Sequence, residues 1–233
     1  MIVKNDLFDY ENKYIFQDTE YFKFSLDSVL LAEYAKKDLV NGPILEMCAG
    51  NSVISMILTI YTNNEIVNFE IQEKIHDLAK LSINENNLKN KITLINDDIK
   101  NIGNYYKKNY FKNIICNPPY FEYNGQMGNL TYEKRIARHE VAITLEEIFK
   151  ISKDYLENNG HLYIINRSQR LDELFVLANK YNINVKEVQF VKTKETEKPS
   201  LVIIKCIKNS KKHVIINDII CINNMKSYKN IFK

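Results

Sequence analysis

The amino-acid sequence predicts an α/β fold in which a mostly parallel, seven-stranded sheet has an antiparallel edge strand and helices on both faces. From about residue 40 onward, short apolar runs alternate with segments of helical periodicity, which is typical of parallel strands joined by helices. Two later apolar runs, at 184–191 and 200–207, follow each other with no helical segment between them. Because a short connection joins antiparallel neighbours, this pair predicts the antiparallel edge.

The first 40 residues do not share this alternation, and we expect them to form a cover segment packed on the domain that follows. Residues 7–17 have the pattern of a hairpin or a cover. Residues 27–37 place Leu30 and Leu31 on one face of a helix.

The predicted strands are apolar runs of four to ten residues, rich in Ile and Val, bounded by Asn, Asp, Gly or Pro. They lie at 43–48, 66–70, 92–95, 111–116, 162–165, 184–191 and 200–207, with a further strand at 213–222. The predicted helices have apolar residues at helical spacing, as Ile75, Leu78 and Ala79 do. They lie at 53–60, 72–87, 144–157 and 169–180, and Asn-Asn-Gly160 ends the third.

A chain of 233 residues is long enough for one large domain with its own core, and we expect this domain over 41–210. Residues 211–233 are predicted to add a strand and a basic tail. The composition, 45% hydrophobic and 26% charged, excludes a mostly disordered chain. The longest apolar runs, such as 53–60, are shorter than the roughly 18 residues of a membrane span. The amino-terminal residues lack the pattern of a signal peptide, so we expect a cytoplasmic protein with no membrane partner.

The four cysteines are far apart and form no C-x-x-C pair, which argues against a zinc site or a disulfide framework. We therefore expect no bound metal and reduced thiols. The net charge of +3 is too small to indicate a nucleic-acid partner by itself. Arginine is rare in this chain, and all four arginines lie within 135–170. This clustering is informative because Arg offers planar, bidentate recognition that Lys does not.

Acidic or small residues mark the ends of three successive strands. Glu46 and Gly50 belong to the first, and the glycine lets a ligand approach the backbone closely. Glu70 ends the second, where a carboxylate can accept hydrogen bonds from ribose hydroxyls. Asp97 and Asp98 end the third, where a carboxylate could accept from an adenine amine. Each feature also fits a plain structural role, as a strand–helix turn, a helix-initiating acid or a turn-forming pair.

Asn117-Pro118-Pro119-Tyr120 directly follows a predicted strand and gives the strongest functional signal. Two consecutive prolines fix φ twice and remove two backbone donors. The Asn117 side-chain oxygen and the Pro118 carbonyl remain as fixed acceptors, which suits an NH2 group held by both hydrogens. Tyr120 offers an aromatic face to a planar base.

Together these four strand ends resemble the Rossmann-like S-adenosylmethionine-dependent methyltransferases, in the branch that methylates amines. The resemblance implies a Rossmann-like methyltransferase fold with S-adenosylmethionine as cofactor. It implies that the first loop holds the methionine part, the second acid the ribose, the third the adenine, and Asn-Pro-Pro-Tyr the target amine. The cofactor contacts that it implies are Glu46, Cys48, Ala49, Gly50, Asn51, Glu70, Ile71, Asp98, Ile99 and Asn117. The chain departs from the family at Glu46, where Asp is commoner, and at Ser52, where Gly is frequent.

A longer set of motifs occurs in order: Phe24-Ser25-Leu26-Asp27-Ser28, Phe69-Glu70, Asn117-Pro-Pro-Tyr-Phe121 and Arg138-His139-Glu140. This set resembles the bacterial family that methylates N6 of the adenine at position 37 of valine tRNA. The resemblance implies that Phe24, Ser25 and Asp27 lie over the cofactor. It also implies tRNA, through its anticodon loop, as the partner. Asn117, Pro118 and Tyr120 are then the catalytic group, and Tyr120, Phe121, Arg138 and His139 contact the substrate.

Other functions remain open at this point. The Asn-Pro-Pro-Tyr motif is shared with DNA adenine and protein glutamine methyltransferases, and guanine N2 of ribosomal RNA is another possible acceptor. A non-catalytic RNA-binding module is a further alternative. Arg138-His139-Glu140 also fits the plain start of the helix at 144–157. Cys48 and Cys116 fit small buried apolar residues better than nucleophiles.

Overall fold

The computed structural model describes residues 1–7, 10, 12–19, 26–120, 142–223 and 225–232. The helices are α1 (Leu26–Ala35), α2 (Val53–Leu58), α3 (Glu73–Glu85), α4 (Leu145–Tyr155) and α5 (Leu171–Lys180), with 3-10 turns at Ile99–Asn104 and Ser168–Arg170. The strands are β1 (Ile2–Asp6), β2 (Tyr14–Asp18), β3 (Ile44–Met47), β4 (Ile66–Phe69), β5 (Ile92–Ile95), β6 (Phe111–Cys116), β7 (Leu156–Arg167), β8 (Ile183–Lys192), β9 (Leu201–Lys208), β10 (Ile215–Ile216) and β11 (Ile220–Cys221). Within these ranges, no helix has both the length and the apolar character to cross a bilayer.

The central sheet contains nine strands in the order β10-β8-β9-β7-β6-β3-β4-β5, with β11 also paired to β8. β3 pairs in parallel with both β4 and β6. From β3 the chain proceeds in one direction, to β4 and β5, and then continues on the other side of β3 with β6 and β7. In such sheets, a reversal of strand order opens a crevice beyond the carboxyl ends of the strands.

The predicted fold class is confirmed, with two differences in detail. β9 runs antiparallel to β7 and β8, so the antiparallel strand lies inside the sheet, and β8 with the short strands β10 and β11 lies beyond it. The strand predicted at 213–222 forms only as the two-residue strands β10 and β11.

The predicted starting point of β7 was wrong. This strand begins at Leu156, directly after α4, because Leu156 already pairs with Phe111 of β6. The register shifts between Phe111 and Asn113. The polar run Asn158-Asn159-Gly160, which was expected to separate helix from strand, therefore lies inside the strand at this irregularity.

Buried side chains alternate between the two faces of the sheet. Leu45 packs in a core with α4 and α5, whereas its neighbour Ile44 packs in a second core with α1 and α2. Ile164 and Ile165 of β7 divide in the same way. A strand has a side-chain period of two, so alternation places apolar residues on both faces. Helices cover both faces, which explains why the central strands are continuous apolar runs.

A hairpin forms near the amino terminus and lies against α3, but its strands β1 and β2 pair residues 2–6 with 14–18, so the first strand precedes the predicted range 7–17. The Phe16 backbone N–H donates to Ser82 Oγ at 2.9 Å. Asn86 accepts from the Tyr14 N–H at 3.0 Å and donates to the Tyr14 carbonyl at 2.7 Å. Asn51, in the loop after β3, donates to the Phe16 carbonyl at 3.1 Å. The hairpin is thus hydrogen-bonded to that loop as well as to α3.

A polar network joins the carboxyl-terminal end of α1 to the strands β7, β8 and β9. Tyr34 Oη donates to Glu187 at 2.9 Å, and Tyr163 Oη donates to Asp38 at 2.7 Å. Lys205 forms ion pairs with both carboxylates, at 3.1 Å from Glu187 Oε1 and closely with Asp38. Because each charge has an opposite partner, the network compensates for its partial burial.

The segment near the carboxyl terminus also docks on α1. Glu33 is completely buried and accepts hydrogen bonds from Tyr10 Oη at 2.6 Å and from the Asn230 backbone N–H. Phe232 is 6% exposed and packs edge-on against Tyr34, with ring centroids 5.2 Å apart. Residues from both ends of the chain therefore meet on this helix. The division into cover segment, main domain and tail stays a prediction.

Replacement of Phe232 should destabilise the protein. Phe232→Ala removes a buried ring, and we expect the free energy of unfolding to fall by about 3 kcal/mol. Urea denaturation followed by circular dichroism measures this change. Ile216→Ala is the control, because Ile216 is 72% exposed and its truncation should cost less than about 0.5 kcal/mol. Equal losses in the two variants would contradict the docking of Phe232.

Candidate active site

A cavity opens beyond the carboxyl ends of β3, β4, β5 and β6, at the reversal of strand order, and its empty space of about 930 Å³ includes a part open to solvent. Ten of the predicted cofactor contacts line it: Glu46, Cys48, Ala49, Gly50, Asn51, Glu70, Ile71, Asp98, Ile99 and Asn117. The structure thus brings these residues together, and their role in cofactor binding stays a prediction.

The loop after β3 turns sharply at three residues with left-handed backbone, Cys48 (φ 57°), Gly50 (φ 53°) and Ser52 (φ 60°). A Cβ atom built on Gly50 would meet nothing within 4 Å, so the Gly50 backbone faces open space in the cavity. At Ser52 the left-handed conformation costs about 1 kcal/mol relative to glycine. A hydrogen bond of 2.9 Å from Asn68 Nδ2 to Ser52 Oγ offsets this cost.

Glu46 is 2% exposed, and its carboxyl group connects β3 to the first turn of α2. Glu46 Oε2 accepts from the Ser55 backbone N–H at 3.0 Å and contacts Ser55 Oγ. The Ser55 hydroxyl also donates to Asn68 Oδ1 at 2.7 Å. The hydroxyl has one hydrogen and lies between two oxygens, so a protonated Glu46 would satisfy the cluster. In agreement, burial raises the pKa of Glu46 to about 8.

Glu70, directly after β4, joins two loops of the cavity wall. Its Oε2 accepts from the Gly50 backbone N–H at 2.8 Å, and its Oε1 accepts from the Gln72 N–H at 2.8 Å. Burial raises the pKa of this carboxyl group, and the two backbone hydrogen bonds oppose that rise. Each carboxylate oxygen has a second lone pair, so Glu70 can hold the loops and still accept from a ligand.

Both aspartates after β5 line the cavity, and both also shape the turn that they occupy. Asp97 accepts from Asn101 Nδ2 at 2.8 Å and from Tyr105 Oη at 2.9 Å, and these hydrogen bonds lower its pKa. Asp98 caps the following 3-10 turn by accepting from the Lys100 N–H at 2.9 Å. The structural and functional interpretations of this pair are therefore compatible.

Asn117 and Pro119 reach the cavity from the end of β6. Asn117 Nδ2 donates to Ser28 Oγ, in the first turn of α1, at 3.0 Å. Tyr120 Oη donates to Asp27 Oδ2 at 2.7 Å, and the expected contact of Asp27 with the cofactor stays a prediction. Burial, followed by the Asp27 charge, raises the pKa of Tyr120.

Tyr120 has two further contacts, which come from the last residue of β7 and from the 3-10 turn that follows it. The Arg167 guanidinium lies 5.5 Å from the centroid of its ring. Arg170 Nη1 donates to the Tyr120 carbonyl at 3.4 Å. Two of the four clustered arginines thus lie against the last residue of the motif. Tyr120 itself is not among the residues that line the cavity.

Several predicted residues have other outcomes. Phe24, Ser25, Phe121, Arg138 and His139 lie outside the described residues. Cys116 is completely buried, and burial raises its pKa, which agrees with its interpretation as a small apolar residue.

Sequence reasoning missed other residues of the cavity wall. Ser28 and Ile143 line it, as does Asp97, the neighbour of the predicted cofactor contact Asp98. Ser28 directly follows Asp27 in a motif that had been noted, so its polar side chain was an available signal. No local sequence signal indicated Ile143, because it reaches the cavity from a part of the chain that is distant in sequence.

Comparison with known proteins assigns the chain to a family. The profile of the methyltransferase small domain matches residues 23–196, about three quarters of the chain. The chain belongs to the methyltransferase small domain family. This methyltransferase is 23% identical over 207 residues to the tRNA1(Val) (adenine(37)-N6)-methyltransferase of Photobacterium profundum, with 88% of this chain and 85% of that protein covered. It is 22% identical to the protein of the same name from Cytophaga hutchinsonii, with 84% and 81% covered.

Solved structures confirm the fold of the methyltransferase. A predicted O-methyltransferase from Agrobacterium tumefaciens superposes with a TM-score of 0.67 at 16% identity, over 87% of this chain and 90% of that chain. The Pyrococcus horikoshii TYW2 structure in complex with MeSAdo gives 0.61 at 11% identity, over 90% and 72%. At these identities the likeness concerns the fold alone.

The cavity of this methyltransferase fits a nucleoside cofactor. The open space at Gly50 admits a ligand to the backbone, and the carboxyl groups of Glu70 and Asp98 stand at the ends of two neighbouring strands. Such acceptors match the hydroxyl and amine hydrogens of an adenosine group. Family membership supports S-adenosylmethionine as the expected cofactor.

The pKa of Glu46 should make the stability of the methyltransferase depend on pH. Because this pKa is about 8 in the folded protein and 4.5 ordinarily, the unfolded chain loses the proton first. The stabilisation is complete below pH 4.5 and is lost as the pH rises to about 8. We expect the free energy of unfolding of Glu46→Gln, measured in urea, to approach and then exceed that of the wild type over this range. Parallel pH curves for the two proteins would contradict the raised pKa.

Proposed function

We propose that this methyltransferase transfers a methyl group from S-adenosylmethionine to the exocyclic N6 of adenine in tRNA, namely the adenine at position 37 of valine tRNA. The observation that carries the proposal is the position of Asn117, which lines the cavity immediately before Pro118 and Pro119. The motif adds amine-directed acceptors to a cavity suited to the methyl donor.

The acceptors of the motif fit an NH2 group. Asn117 uses Nδ2 toward Ser28, which leaves Oδ1 as its acceptor. The Pro118 carbonyl is the second acceptor. An exocyclic amine on a purine is a weak nucleophile because its lone pair is delocalised into the ring. Two acceptors on its two N–H bonds would orient the lone pair and offset the positive charge that develops on nitrogen. The proton can leave to water after the transfer, so no strong general base is required.

Side chains from three strand ends would hold the cofactor. Glu70 would accept from the ribose hydroxyls, Asp98 from the adenine amine, and the loop at Gly50 would take the methionine part. When bound, S-adenosylmethionine supplies a sulfonium methyl group, and the amine lone pair forms the new C–N bond as the C–S electron pair returns to sulfur.

The order of the motifs and the names of relatives support tRNA as the substrate. The proteins from Photobacterium profundum and Cytophaga hutchinsonii carry this activity in their names. Arg167 beside the Tyr120 ring provides a planar cation near the motif, and guanidinium groups stack on unpaired bases. An adenine in a single-stranded loop leaves its stack more easily than one in a duplex.

A labelling experiment tests the function. The protein is incubated with labelled S-adenosylmethionine and separate pools of unmodified tRNA, duplex DNA and cell protein, and the labelled product is digested and identified. We expect N6-methyladenosine from tRNA, at position 37 of valine tRNA. Label in DNA or protein would contradict the proposed substrate. The absence of label in every pool would contradict the proposed activity.

Asn117→Ala should lower turnover by about 100-fold or more, because the acceptor for the target amine is lost. The affinity for S-adenosylhomocysteine, measured by calorimetry, should change little. Asn179→Ala is the matched control, since Asn179 lies on the last turn of α5 and donates to the Phe175 carbonyl. Turnover at the wild-type level in Asn117→Ala would contradict the assigned role.

Glu70→Gln should weaken the binding of S-adenosylhomocysteine by about tenfold or more, because the amide cannot accept from both Gly50 and Gln72. Calorimetry gives the dissociation constant. Glu195→Gln is the control, since the Glu195 side chain is 77% exposed. If both variants bind as tightly as the wild type, Glu70 does not organise the cofactor site.

A further inference from the structure

The first turn of α1 contacts both ends of the Asn-Pro-Pro-Tyr motif. Ser28 Oγ accepts from Asn117 Nδ2 at 3.0 Å, and the adjacent Asp27 Oδ2 accepts from Tyr120 Oη at 2.7 Å. Ser28 and Asn117 both line the cavity. The helix thus contacts the first and the last residue of the motif, on which the proposed chemistry depends.

The contact with Ser28 determines which end of the Asn117 amide is free. A side-chain amide has one donor end and one acceptor end, and a target amine needs the acceptor. Asparagine in a turn commonly satisfies its oxygen with the backbone N–H two residues later. Here that residue is Pro119, which has no N–H. The local backbone therefore does not capture Oδ1, and the hydrogen bond from Nδ2 to Ser28 orients the amide with Oδ1 directed elsewhere.

The remaining contacts of the motif hold its position. The Tyr120 hydroxyl is committed to Asp27, and the Tyr120 carbonyl accepts from Arg170 at 3.4 Å. The two prolines restrict the backbone between these points. Small displacements of the motif are thereby opposed from α1 and from the segment after β7, while rotation of the Asn117 amide is opposed by Ser28.

We infer that Ser28 is a positioning residue for methyl transfer: it holds Asn117 Nδ2 so that Oδ1 is presented to the amine of the substrate. This inference rests on the proposed function and adds a residue to which that function assigns no part. Ser28 acts through Asn117, so its loss should slow the transfer step without weakening the binding of either substrate.

Two variants test the inference under single-turnover conditions with the tRNA acceptor. Ser28→Ala should lower the rate constant about tenfold or more, and the dissociation constant of S-adenosylhomocysteine and the KM for tRNA should change less than twofold. Ser28→Thr retains the hydroxyl and should recover most of the rate. Thermal unfolding of each variant identifies any loss of folding.

A double-mutant cycle separates positioning from a general structural role. Asn117→Asp carries two equivalent acceptor oxygens, so it has no amide to orient. In that background, Ser28→Ala should change the residual rate less than twofold. A structural role for Ser28 predicts the same loss in both backgrounds, and that result would overturn the inference.

The other outcomes are also decisive. A Ser28→Ala variant with an unchanged rate overturns the inference and leaves the proposed function intact. A weakened S-adenosylhomocysteine affinity with an unchanged single-turnover rate at saturation would make Ser28 a cofactor contact instead. If the wild-type protein labels no acceptor, both the proposed function and this inference fail.

Discussion

The reversal of strand order between β3 and β6 is the constraint on which the rest of the site depends. The chain connections that leave these two adjacent parallel strands run in opposite directions. No connection therefore covers the carboxyl ends of both strands, and a crevice remains there. The loops after β3, β4, β5 and β6 all border this crevice. The sheet fixes where these loops start, and the side chains on them determine the chemistry.

Buried carboxyl groups give two of these loops their shape. Glu46 lies opposite Asn68 in the β3–β4 register and contacts Ser55, whereas Glu70 accepts from the backbone of Gly50 and Gln72. Burial of a carboxyl group costs free energy, and hydrogen bonds from the backbone of Ser55 to Glu46 and from the backbone of Gly50 and Gln72 to Glu70 offset part of this cost. The first loop, which contains a single glycine, is thus stabilised by acids where related folds use several glycines.

The sequence was sufficient for the sheet and for the strand ends, because apolar periodicity and turn residues are local signals. It was not sufficient for contacts between distant segments. The partner of Tyr120 is Asp27, 93 residues earlier, and no local pattern indicates such a pair. The start of β7 was missed for a different reason. Asn159 adopts a left-handed backbone conformation inside an irregular strand. In the sequence, a polar run of Asn and Gly is typical of a loop between a helix and a strand.

The helix α1 links the motif to the two ends of the described chain. Its first turn holds Asn117 and Tyr120, and its Glu33 accepts from Tyr10 and from the Asn230 backbone. A ribosome synthesises the chain from its amino end, so the strands that border the cavity exist well before residues 230–232. Until those residues emerge, the buried Glu33 lacks one donor and Tyr34 lacks its aromatic neighbour. The contacts of residues 230–232 with α1 therefore form after the strands that border the cavity have been synthesised.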